Sequence, residues 1–90
     1  EMPRGYTMKK QYTVSEQGNQ FRAEAREADG TYIEQGFGAT NTLATAALAG
    51  DLVARVPQQS TKSAQEKMLK HALYTLQAWA QRLAKEATDD

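Results

Sequence analysis

The spacing of apolar residues changes from two-residue alternation to helical periodicity about halfway along the chain. From about Tyr6 to Val14, Met8, Tyr12 and Val14 alternate with Lys9, Gln11 and Thr13, which predicts a first strand. Ser15 to Asn19 reads as a loop, with Gly18 and Asn19 able to adopt positive φ. Phe21 to Glu27 is a second strand with Phe21, Ala23 and Ala25 on one face and Arg22, Glu24 and Arg26 on the other. Thr31 to Phe37 is a third, with Ile33 and Phe37 facing one way and Tyr32 and Glu34 the other. Asp29-Gly30 marks the hairpin between them. A two-residue loop would mix the faces. A three-residue loop of Ala28, Asp29 and Gly30 pairs Ala25 with Ile33 and Phe21 with Phe37, with Gly30 in a left-handed bulge position and Gln35 left facing inward.

Gly36-Phe37-Gly38 is expected to end the sheet in a sharp turn. It lacks the third glycine and the lysine of a nucleotide-binding loop. Asn41 to Val56 then reads as a helix, capped by Asn41 or Thr40 and closed by Pro57. On a helical wheel Leu48, Leu52, Val56, Ala49 and Val53 lie on one side, with Ala46, Gly50, Leu43, Ala54 and Ala47 opposite. A helix apolar nearly all round needs cover on more than one face, so this one is expected to lie between two layers.

After a polar linker from Gln58 to Lys62, Ser63 and Glu66 read as a capping box that starts a second helix near Ala64. Leu69, Leu73, Leu76, Ala80, Leu83 and Ala87 follow at spacings of four and three, a heptad seam flanked by Met68, Ala72 and Trp79. That seam either covers the first helix or pairs with its own copy across a two-fold axis. A helix of about 24 residues spans roughly 36 Å against roughly 22 Å for one of about 15, so apolar surface is left over and a homodimer is expected. Fraying is expected near Thr88, where Asp89 and Asp90 oppose the helix dipole. The order β-β-β-α-α predicts an α+β fold in one domain, a three-stranded antiparallel sheet packed on the Ala-rich helix with the long helix following.

Composition narrows the function classes. Eleven basic and eleven acidic residues among 90 cancel, so no net field draws the chain to nucleic acid or to an anionic membrane. No cysteine is present, which removes thiol chemistry and is compatible with a reducing compartment. No apolar run approaches the roughly 18 residues of a membrane span, and a cytoplasmic location is the expectation. Met8-Lys9-Lys10 reads as a start context, leaving Glu1 to Thr7 as either an added or a native upstream segment.

Candidate chemistry is sparse. His71, the only histidine, falls on the side of its helix opposite the leucines, where a solvent-facing role is expected. Glu24, Glu27 and Glu34 could approach one another on one sheet face, but Arg22 and Arg26 share that face and a solvated strand surface explains the pattern. Arg22, Arg26 and Tyr32, joined by Lys9 or Lys10, could instead form a small nucleic-acid patch. Trp79 reads as core edge, and Tyr74 as an exposed residue available to a partner.

Two resemblances attach to Gly36 to Val56. Three strands followed by GFGATNTLATAALAGDLV resemble the second half of a double-stranded RNA-binding domain, whose helix begins with phosphate-gripping lysines; Asn41, Thr42 and Leu43 stand there in this chain, and the family's first helix is missing. The stretch also resembles the β-β-β-α module of HicB-type antitoxins, which implies binding to a small toxin protein. The residues together predict a non-enzymatic protein-binding module, a small bacterial or phage-type regulator or inhibitor that occupies a partner protein. Its expected interface is Leu69, Leu73, Leu76, Trp79 and Leu83, with no catalytic residue, cofactor or metal. The competing reading is a nucleic-acid-binding module using Arg22, Arg26 and Tyr32.

Overall fold

The structure, a computed structural model, describes residues 11–88. The expectations for residues 1–10, including the first part of the first strand and Lys9 and Lys10, lie outside the described residues, as do those for Asp89 and Asp90. The observed order is β1 (Tyr12–Gln17), β2 (Gln20–Arg26), β3 (Tyr32–Gly38), α1 (Asn41–Arg55), a 3-10 turn (Val56–Gln58) and α2 (Lys62–Thr88). The three strands form one antiparallel sheet in sequence order. This is the α+β architecture expected from the hydrophobic pattern.

Tyr12 pairs with Ala25, Val14 with Ala23 and Gln17 with Gln20, so β1 runs to Gln17 and the expected loop shrinks to Gly18-Asn19. Gly18 has φ 66°, whereas Asn19, like every other non-glycine among the described residues, has no positive φ, the pattern of a two-residue turn with glycine in its first central position. Ser15, Glu16 and Gln17 are polar, but ladder hydrogen bonds use the backbone and do not require apolar side chains.

The second hairpin departs from its expected register by one residue. Arg26 pairs with Tyr32 as foreseen, but Ala25 pairs with Glu34, Ala23 with Gly36 and Phe21 with Gly38, because a bulge falls between Ala25 and Arg26. Ile33 is the extra residue. The bulge keeps Ile33 buried, turns Phe37 out to 43% exposure and moves Gln35 opposite Glu24 on the outer face.

That shift brings Gly36 and Gly38 to the inner face, under α1. A Cβ on Gly36 would collide with the Leu48 backbone nitrogen and lie 2.9 Å from the Ala47 carbonyl carbon; one on Gly38 would lie 2.7 Å from the Leu43 carbonyl carbon. β3 does end at Gly38, as expected, with the bend to the helix at Ala39-Thr40; the two glycines themselves belong to the strand and let a helix backbone press onto a strand backbone.

Thr40 caps α1, its Oγ1 accepting the Leu43 amide at 3.1 Å. Leu48, Leu52, Ala44 and Thr45 are fully buried, and they join Ala23, Ala25, Ile33, Met68 and Ala72 in the core. The Tyr12 hydroxyl hydrogen-bonds Thr45 Oγ1, and Thr42 donates to the Glu86 carboxylate, so α1 is tied to β1 on one flank and to α2 on another. The remaining sector is open: Leu43 is 55% and Val53 45% exposed, and Gly50 and Ala54 are exposed. Cover of this helix is therefore confined to two flanks, and the Ala/Gly side expected to lie under a second layer is largely uncovered.

Candidate functional site

α2 carries two apolar stripes, and the fold uses the smaller one. Met68, Ala72 and Thr75, spaced by four and three, are buried with His71 beside them. Small residues on α1, Ala46, Ala49 and Gly50, stand beside α2 and let the helices approach closely enough for an Ala/Thr/Met stripe to serve between them. The leucine stripe lies roughly a quarter turn to a third of a turn away. Leu69, Leu73 and Leu83 are 44, 50 and 45% exposed, and Leu76 is half-buried. The heptad seam thus serves as cover for α1 only in part: Leu76 is half-buried beside it, and Leu69, Leu73 and Leu83 face outward.

His71 lies opposite the leucines as expected, but that side is the buried one, so its solvent-facing assignment is corrected. It is 6% exposed, with Nε2 3.5 Å from Glu27 Oε1. Lys67 Nζ reaches the same oxygen at 3.9 Å. Tyr74 is also corrected: it meets the edge of Tyr12 with ring centroids 6.0 Å apart and planes at 75°.

From Ala80 to Thr88 every residue of α2 is exposed, although this segment carries Leu83 and three alanines. Between the helices Ala46, Ala49, Gly50, Leu76 and Trp79 line a shallow apolar recess of about 190 Å³. Leu76 and Trp79 are thereby joined to the open sector of α1. The contribution of α1 to this recess, Ala46, Ala49 and Gly50, was missed from sequence because a helix apolar all round reads as wholly buried.

The structure places Arg22, Arg26 and Tyr32 on the outer sheet face together. Arg26 stacks over the Tyr32 ring at 5.9 Å and donates to the Gly30 carbonyl at 2.7 Å. Glu24 stands between the arginines, 2.8 Å from Arg26 Nη2 and 4.0 Å from Arg22 Nη2. The three carboxylates considered as an acid/base group are separated. Glu24 is held by the arginines, Glu27 stands by Lys67 and His71, and Glu34 turns to the inner face. There Arg55 Nη1 donates to its carboxylate at 2.9 Å and to the Ile33 carbonyl at 2.8 Å.

Asp29 in the hairpin loop accepts the Thr31 amide at 2.9 Å. That bond, with the Thr31 side chain and the charge of Lys67, holds its carboxyl below the usual value of 3.8. Among the described residues no cluster of three metal-ligating side chains occurs, and no helix is long and apolar enough to cross a membrane. No protein-family model matches the chain, and comparison with curated proteins and with solved structures finds no significant match.

Proposed function

We propose that this chain is a non-enzymatic protein-binding module, and that its contact face is the outward leucine stripe of α2 with the adjoining rim of α1. It acts by occupying the apolar surface of a helical partner, as a small regulator or inhibitor does. One observation carries the reading: Ala72 is fully buried while its neighbour Leu73 is half exposed, so the heptad seam is not spent on the fold. A heptad period is useful to a helix that meets another helix over several turns, and α2 has no such neighbour on that side among the described residues. A contiguous exposed apolar patch of this kind marks an interaction surface in a well-behaved protein. Fully burying a leucine is worth about 1.5–3 kcal/mol, so completing the burial of the half-exposed Leu69, Leu73 and Leu83 contributes roughly 2–5 kcal/mol toward association.

The outer sheet face is the weaker candidate, for nucleic acid. Glu24 pairs with both arginines and leaves a net single positive charge among the three side chains, too little for the multiple phosphate contacts that drive such binding.

Gel filtration of the tagged chain in extract of its host tests the proposal. The wild type is expected to elute ahead of its 10.0 kDa monomer position and the variant Leu73→Asp/Leu83→Asp at that position. Elution of both as monomers overturns it.

A further inference from the structure

We infer that the last turns of α2, residues 80–88, form a strap latched onto the start of α1 by one contact, the Glu86 carboxylate on the Thr42 hydroxyl, and that Glu86 is the negative group which the first turn of α1 lacks. The latch goes beyond the protein-binding reading and does not depend on it.

The reason for it lies at the N-terminus of α1. A helix start carries partial positive charge and amides that have no partner inside the helix. Thr40 satisfies one of them, the Leu43 amide, but α1 has no acidic residue in its first turn. Thr42 stands in that turn, is 6% exposed, and donates its hydroxyl to Glu86, 44 residues away in sequence. The carboxylate thereby lies where a first-turn acid would, and it comes from the other helix. A hydrogen bond with one charged partner is roughly twice as strong as a neutral one.

The path of α2 leads to the same contact. Its buried stripe of Met68, Ala72 and Thr75 continues at spacings of four and three through Trp79 and Arg82 to Glu86. Trp79 still shares the recess with Ala46, Ala49 and Gly50, so the stripe follows α1 back toward its first turn. From Trp79 to Glu86 is two further turns, roughly 10 Å. Over that distance burial stops. Residues 80–88 are all exposed, and among the described residues Glu86 makes the only side-chain hydrogen bond or ion pair from this segment to the rest of the fold.

Glu86 also forgoes a partner on its own helix. Arg82 precedes it by four residues, the spacing of a helical ion pair, yet no bridge joins the two among the described residues. Ala80, Gln81, Arg82, Leu83, Ala84 and Lys85 are strong helix formers, so the segment keeps its helix locally while its docking depends on Glu86. Leu83 rides on the strap. The latch therefore decides whether the outward leucine stripe is held rigid through Leu83 or ends at Leu76.

Amide hydrogen exchange of the full chain, followed by NMR, reads the latch residue by residue. Glu86→Gln keeps the shape and an acceptor oxygen but removes the charge; Thr42→Val keeps the shape and removes the donor. Each is expected to speed exchange of the amides of residues 80–86 about tenfold, as loss of a charge-assisted hydrogen bond implies. In Glu86→Gln the amides of Ala72 and Thr75 are expected to keep their wild-type rates. The double variant is expected to exchange no faster than the faster single one, because both changes remove the same interaction. Wild-type rates at residues 80–86 in Glu86→Gln overturn the latch, as do equal acceleration at Ala72 and effects that multiply in the double variant. Should Thr42→Val fail to fold, Glu86→Gln, at an exposed position, decides alone.

Discussion

Gly36 of β3 lies directly beneath Leu48 of α1, backbone against backbone, with no room for a β-carbon between them. The atoms that a methyl group would strike are main-chain atoms of a helix that is itself held by the buried Leu48 and Leu52, so they have no rotamer into which to retreat. Gly36→Ala is expected to cost about 3 kcal/mol or more, at the upper end of overpacking substitutions. Urea unfolding monitored by circular dichroism reads the loss directly; a variant within 1 kcal/mol of wild type would show that the sheet and helix stand farther apart than described.

Gly50 behaves oppositely. It lies in the interior of α1, is exposed, and a Cβ there would meet nothing within 4 Å. Alanine at such a site lowers the entropy of the unfolded chain and favours the helix, so Gly50→Ala is expected to gain about 0.5–1 kcal/mol. The same unfolding measurement checks it, and a loss would mean that the open sector of α1 is covered.

Asp29 gives the fold a small acid-labile element. Its carboxylate is held below the ordinary value of 3.8, first by the Thr31 amide. A depressed folded-state pKa contributes stability that is present above the unfolded value and lost as pH falls through the folded one. Asp29→Ala is therefore expected to be less stable than wild type at pH 7, with the difference closing below pH 3.8. A carboxyl carbon NMR titration of Asp29 should give a midpoint under 3.8; a midpoint at or above it contradicts the turn geometry.

How much of this was legible in the sequence depended on whether one pattern or two competed for the same residues. The alternation of Phe21, Ala23 and Ala25, the break at Pro57 and the helical spacing beyond it each admitted one reading, and the element order followed. The register of the second hairpin was not legible, because a bulge at Ile33 changes which residues face inward without changing composition. Gly36 and Gly38 read as a turn because glycine signals backbone freedom and close backbone approach with the same letter. α2 held two parallel stripes, and the leucine one is longer and more apolar. The fold uses Met68, Ala72 and Thr75 because α1 offers them alanines, a preference that depends on the partner helix and is invisible along α2 alone. His71 was misplaced for the same reason. Leu69, Leu73, Leu76, Trp79 and Leu83 were picked out from their spacing, and the structure adds Ala46, Ala49 and Gly50 of α1 beside Leu76 and Trp79.

Ala72 and Leu73 are neighbours in sequence, one fully buried and the other half exposed, and comparing the fate of a charge at each tests the orientation of α2 most directly. The measurement is urea unfolding of Ala72→Asp beside Leu73→Asp. A carboxylate buried at Ala72 without a partner should abolish the folded baseline, whereas Leu73→Asp should retain a cooperative transition. If Leu73→Asp fails to fold and Ala72→Asp unfolds like the wild type, the leucines face the core and the outward seam does not exist.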